Sequence, residues 1–162
     1  MIVIVIMGVV YTLVITKLQT VTPKTEKLSL ETMKATMAKI AKKSYATVEL
    51  WCFDSCESCA LFVAGKKLRD VEPFVDREVE VYRYDYLRGL IPVDPDPFFD
   101  KNDLQKDVCF HFSVDSQGVS DQVFVVSKEK AYDYTDYFNG VGVYDSVEKI
   151  VETKEKIIEE VK

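Results

Sequence analysis

A surplus of positive charge is missing from this chain. Its 21 lysines and arginines face 27 aspartates and glutamates, for a formal net charge of -6. A nucleic-acid binder must neutralise phosphates with a basic surface, so this balance argues against nucleic acid as a partner. Cysteine is sparse: four in 162 residues is too few for a fold built on disulfides. Histidine occurs once, as His111. No internal repeat or low-complexity tract is present. What remains is an ordinary globular composition, 48% hydrophobic and 30% charged, long enough for one domain plus an appendage. Nine tyrosines and nine phenylalanines favour β-structure and aromatic packing.

The first charged side chain is Lys17, after the run "MIVIVIMGVVYTLVIT". As a helix this run reaches roughly 24 Å, short of a bilayer core of ~30 Å, and Leu18 to Thr22 would extend it. Residues 1–20 are therefore expected to form a single-pass membrane anchor, with the side of the membrane open. A signal peptide and a buried strand or helix are the alternatives. Residues 21–28 read as a polar linker containing Pro23, and residues 29–162 as the folded domain.

Within that domain, Leu30, Met33, Met37 and Ile40 recur at helical spacing, with Ser29 placed to cap the start. "YATVELWCF" reads as a strand that enters the cysteine cluster, and "CALFVAGKKLRDVEPFV" as the helix that follows. "EVEVYRYDYL" alternates as a strand, with Val79, Val81 and Arg83 opposite Glu80, Tyr82 and Tyr84. "FFDKNDLQKDVCFHF" fits two patterns. As a helix it aligns Leu104, Val108 and Phe112; as a strand it sets Val108, Phe110 and Phe112 against Cys109 and His111. Two further strands joined by "SKEK" and a closing helix over "YDSVEKIVETKEKIIEEVK" complete the order. Strands alternating with helices imply parallel pairing. The run of aspartates 94, 96, 100 and 103 reads as a solvated loop, and the tyrosines as cross-strand packing.

The chemistry sits in "WCFDSCESCALF". Cys52, Cys56 and Cys59 form C-x-x-x-C-x-x-C, the ligand spacing of an iron–sulfur cluster, and Cys56 and Cys59 form a C-x-x-C within it. Adding Cys109 and His111 offers a zinc or iron ligand set as an alternative. Cys52 and Cys109 otherwise read as buried free thiols, and a disulfide between them is the sharper option.

A C-x-x-C at the junction of a strand and its helix, followed by "GVSDQVFVVSKEKAYDYTDYFNG", resembles the thioredoxin-like superfamily over residues 29–162. The resemblance implies an α/β fold: a central mixed sheet of about four strands flanked by helices, behind a hydrophobic N-terminal helix. It also implies thiol–disulfide exchange, with Cys56 as nucleophile at a helix N-terminus and Cys59 resolving the mixed disulfide. Glu57, between them, opposes thiolate formation. No bound cofactor is implied; the partner is a dithiol or disulfide protein, and the chain a monomer. Two positions depart from the family. Ser120, Asp121 and Gln122 stand where a cis-proline usually faces the dithiol, and Leu50 stands where thioredoxin buries an acid. The longer motif also resembles radical-SAM enzymes, but Ser58 replaces the usual aromatic residue and the domain is too short for even a partial barrel. A non-catalytic module of the same fold is the other reading.

Overall fold

The computed structural model describes residues 27–137 and 140–160. The first helix, α1 (Met33–Ser44), follows a tight turn in which Ser29 and Thr32 exchange side-chain and backbone hydrogen bonds. Leu28, Leu30, Met33, Met37 and Ala41 are buried, so the expected apolar stripe is the face that docks. Burying each large side chain contributes about 1.5–3 kcal/mol. Tyr45 ends the helix in a left-handed conformation, its N–H bonded to the carbonyl of Ala41.

Four strands and four helices were expected to interleave; the chain instead folds mainly into antiparallel strands, with two helices among the described residues. These are β1 (Val48–Phe53), β2 (Ser58–Val63), β3 (Lys66–Val71), β4 (Glu80–Asp85) and β5 (Gly89–Pro92). They continue as β6 (Phe98–Phe99), β7 (Gln105–Lys106), β8 (Val108–Val114), β9 (Phe124–Ser127), β10 (Lys130–Asp133) and β11 (Gly142–Tyr144). A last helix, α2 (Val147–Glu160), follows. One sheet has the order β3-β2-β1-β8 and the other β11-β10-β9-β4-β5, with β6 and β7 as a separate hairpin.

Strand alternation divides the first sheet into two faces. Val48, Leu50, Cys52, Cys59, Leu61, Phe110, Phe112 and Val114 point inward and join α1, Val123, Val125 and Tyr134 in one core. On β4, Val81 turns to that core, while Tyr82 and Tyr84 pack on the far side around Phe124, Ala131 and Ile150. The buried Tyr134 hydroxyl donates to the carbonyl of Leu30, which pins the start of α1 across the core. Burial pushes its pKa well above the ordinary tyrosine value.

The α/β expectation is overturned. Residues 59–71, expected as a helix after the cysteines, form the β2–β3 hairpin. Ala64 and Gly65 both take positive φ, 49° and 72°, which is the two-residue turn that matches strand twist. Leu61, Phe62, Leu68 and Val71 fit a helical stripe on paper, but Leu68 is 53% exposed. Without helical crossovers, every strand pairing among the described residues is antiparallel, and the mixed thioredoxin-like sheet does not form.

The single-pass membrane assignment is corrected as well. Among the described residues no helix is long and apolar enough to cross a membrane. Residues 1–20, on which that expectation rested, lie outside the described residues.

Candidate functional site

The cysteine cluster sits on the β1–β2 hairpin and its neighbour β8. Cys52 and Cys59 are directly opposite in the antiparallel register, with Cα atoms 4.1 Å apart, and they form a disulfide. A Cα separation this short marks a position where the two strands do not exchange backbone hydrogen bonds. The second disulfide joins Cys56, in the hairpin loop, to Cys109 on β8, with Cα atoms 5.6 Å apart.

A bulge aims Cys109. On β1, Cys52 faces Phe110 and the next residue, Phe53, faces Val108, so Cys109 is the extra residue between them. Such an insertion bends the strand and redirects one side chain. The Cys109 sulfur lies 3.5 Å from the carbonyl oxygen of Cys52, so the two disulfides are neighbours in space.

The loop that carries Cys56 is held in an unusual backbone. Asp54, Ser55 and Cys56 have φ of 54°, 53° and 65°. Left-handed conformations cost non-glycine residues roughly 1–2 kcal/mol each. Local bonds hold the loop in place: Asp54 N–H to the Asp107 carbonyl at 3.2 Å, and Glu57 N–H to the Asp54 carbonyl at 3.1 Å. The Ser58 hydroxyl reaches the Asp54 carboxylate at 3.3 Å, and Arg77 pairs with Glu57 across the outside.

These placements change what Cys56 and Cys59 meet. Cys56 is followed by a strand, so no helix N-terminus or dipole faces its sulfur. Cys52, Cys56 and Cys59 are 0%, 3% and 3% exposed, and Cys109 is half-buried. Among the described residues no cysteine is free. Cys52 and Cys109, expected as free thiols or as each other's partner, are instead bonded to Cys59 and Cys56.

His111 points to the outer face, away from Phe110 and Phe112. Its ring stacks on Trp51 at 3.8 Å, and its Nε2 lies 3.8 Å from a Glu49 carboxylate oxygen without a hydrogen bond. Among the described residues no three His, Cys, Asp or Glu side chains gather as a metal site. Ligation by the cysteine set would compete with both disulfides for the same sulfurs.

Ser120, Asp121 and Gln122, opposite the dithiol in the expected fold, instead return the chain along the outer edge of β8. The Asp121 carboxylate accepts from the Ser113 N–H at 2.6 Å and from its hydroxyl at 2.9 Å. Beyond them, a cleft of about 590 Å³ is lined by Val81, Arg83, Asp94, Asp96, His111 and Asp121 among others.

A larger groove, about 940 Å³, opens on the outer face of the first sheet. Phe98 of β6 lies across that face, with its ring 5.1 Å from Trp51, 5.0 Å from Phe53 and 5.5 Å from Phe62. Lys66, Lys67, Lys101 and Lys106 stand around it. Asp100 shapes the β6–β7 turn by accepting from the N–H groups of Asn102 and Leu104 at 2.8 and 3.1 Å. Those bonds hold its pKa below the ordinary carboxylate value. Sequence reasoning read the aspartates here as a solvated loop and residues 98–112 as a helix or a strand, and missed the groove. The signal available was the Phe98–Phe99 pair beside a cluster of lysines. No family model matches the chain, no curated protein is found similar to it, and no solved structure matches its fold.

Proposed function

We propose that this chain is a disulfide-stapled β-sheet binding module whose cysteines hold a recognition surface and do not turn over. The observation that carries the reading is the pairing. All four cysteines are consumed in two disulfides that tie β1, β2 and β8 together, and neither joins Cys56 to Cys59. Exchange enzymes keep an attacking sulfur accessible and its thiolate stabilised. Here three of the four cysteines are nearly inaccessible and the loop cysteine has no helix dipole. Disulfides of this kind persist where the surroundings are oxidising.

Thiol–disulfide exchange through Cys56 and Cys59 is the second reading. One observation favours it: Cys56 lies in a surface hairpin loop beside another disulfide, so a thiolate released there has a nearby sulfur to attack. An insulin-reduction assay coupled to a dithiol reductant separates the two. The staple reading expects wild type and Cys56→Ser to match the uncatalysed rate. Turnover in wild type that is lost in Cys56→Ser would establish exchange. Thiol titration adds a second check: none in the native chain, and four after unfolding and reduction.

A further inference from the structure

We infer that the phenylalanine–lysine groove binds a small amphipathic anion, an aromatic or aliphatic body carrying a carboxylate, sulfonate or phosphate. The inference rests on the reading of the chain as a binding module and names the ligand class of one surface.

Three observations carry it. The first is size and lining: at about 940 Å³ the groove falls within the range of small-molecule sites, and its floor is made by Phe53, Ala60, Phe62 and Phe98. Ala60 matters because it leaves open space where a longer side chain would fill the floor. The second is an unusual apolar rim. Phe99, which lines the groove, is 54% exposed, so the aromatic lining continues to the surface.

The third is charge. The whole chain carries -6, yet the groove has four lysines against two aspartates, Asp70 and Asp100. Both carboxylates already have partners. Asp70 pairs with Lys67 at 2.6 Å, and Asp100 is bound by two backbone N–H groups. Lys66, Lys101 and Lys106 form no ion pair among the described residues. Lys106 lies over the Phe53 ring, 5.5 Å from its centre, which places a cation beside the apolar floor. A neutral apolar ligand would leave these ammonium groups unused, and a cation would be repelled by them.

The test uses two dyes that differ by one group. 8-Anilino-1-naphthalenesulfonate carries the anion; N-phenyl-1-naphthylamine is the same aromatic frame without it. The oxidised full chain is titrated with each at low salt, with near-ultraviolet circular dichroism recorded alongside to show native packing. The expected result is saturable one-to-one binding of the sulfonate at least tenfold tighter than the neutral dye. A charge 4 Å away in water is worth roughly a fivefold change in affinity, and salt screens it. The combined variant Lys66→Gln, Lys101→Gln, Lys106→Gln should therefore lose on the order of 100-fold for the sulfonate and leave the neutral dye unchanged. Phe99→Ser should weaken both dyes.

Equal binding of the two dyes, or an unchanged sulfonate affinity in the lysine variant, would overturn the inference. So would sulfonate binding displaced by pentaglutamate peptide but not by 2-naphthoate, which would assign the surface to acidic polypeptide. Concentration-dependent self-association that the lysine variant abolishes would assign it to a second copy of the chain. A chain that binds neither dye loses the groove but keeps its staples. Insulin turnover through Cys56 would sink the staple reading and leave the dye result standing.

Discussion

Removing the Cys56–Cys109 bond, by replacing both residues with alanine, should cost about 2–4 kcal/mol of stability. The sequence separation of 53 sets the upper end. Releasing a loop of that length returns roughly 4 kcal/mol of conformational entropy to the unfolded chain at 25 °C. The native state gives part of this back. Asp54, Ser55 and Cys56 are all held at positive φ, and a freed loop relaxes some of the ~1–2 kcal/mol each residue stores. For a chain of this size, each kcal/mol moves the melting temperature by about 2–4 °C, so the variant should melt roughly 4–16 °C lower. Urea unfolding followed by Trp51 fluorescence is the sharper assay. Trp51 is buried and stacked on His111, so unfolding changes its surroundings. The denaturant slope should also rise, because the unfolded variant is no longer pinched and exposes more surface. A loss below about 1 kcal/mol with an unchanged slope would refute the reasoning that this bond restrains the unfolded chain.

Other outcomes follow from single side chains. Tyr134→Phe deletes the buried hydroxyl bonded to Leu30 and should cost about 1–2 kcal/mol in the same urea assay. The same residue sets an alkaline limit. Its pKa is raised in the folded state, so its contribution is whole below the ordinary tyrosine value of 10.0 and is lost as pH rises above it. Wild-type stability should fall above about pH 10, and the fall should be shallower in Tyr134→Phe. Asp133 accepts from the Thr135 N–H at 2.8 Å and its hydroxyl at 2.6 Å, and pairs with Lys154 at 2.9 Å. Asp133→Ala leaves those donors unmet in a nearly closed site and should cost about 2–4 kcal/mol by denaturant titration. An effect under about 0.5 kcal/mol would show that water replaces the carboxylate there.

Several elements were legible because one pattern fitted each of them. The Leu30, Met33 and Met37 stripe buries as α1, and the alternation of residues 79–86 appears as β4. At residues 104–112 two patterns competed, and the strand won, with Phe110 and Phe112 inside and His111 outside. Residues 59–71 went the other way. Their apolar spacing suits a helix of about three turns, but Ala64 and Gly65 set a two-residue reversal, and pairing with β1 satisfies the backbone of β2. That one substitution of hairpin for helix removes the crossover, and with it the parallel sheet and the dithiol geometry. The disulfide partners were not legible at all. Seven residues separate Cys52 from Cys59 and 53 separate Cys56 from Cys109. Only the hairpin register makes the first pair face, and only a bulge at Cys109 lets the second pair meet. The groove was hidden for a related reason. Phe98 comes from a hairpin nearly forty residues after Phe62, and nothing local says that it lies across the first sheet.

The Cys56–Cys109 bond also sets how the domain carries load. Tension applied to the two ends of the chain reaches Cys56, crosses the sulfur bridge and continues from Cys109. Residues 57–108 are bypassed, although β4 and β5 within them belong to the second sheet. An oxidised domain pulled to full length should therefore fall short of its reduced form by roughly 180 Å, at about 3.4 Å for each hidden residue. Reduction would act as a release of slack, converting a short, stiff tether into one about half again as long.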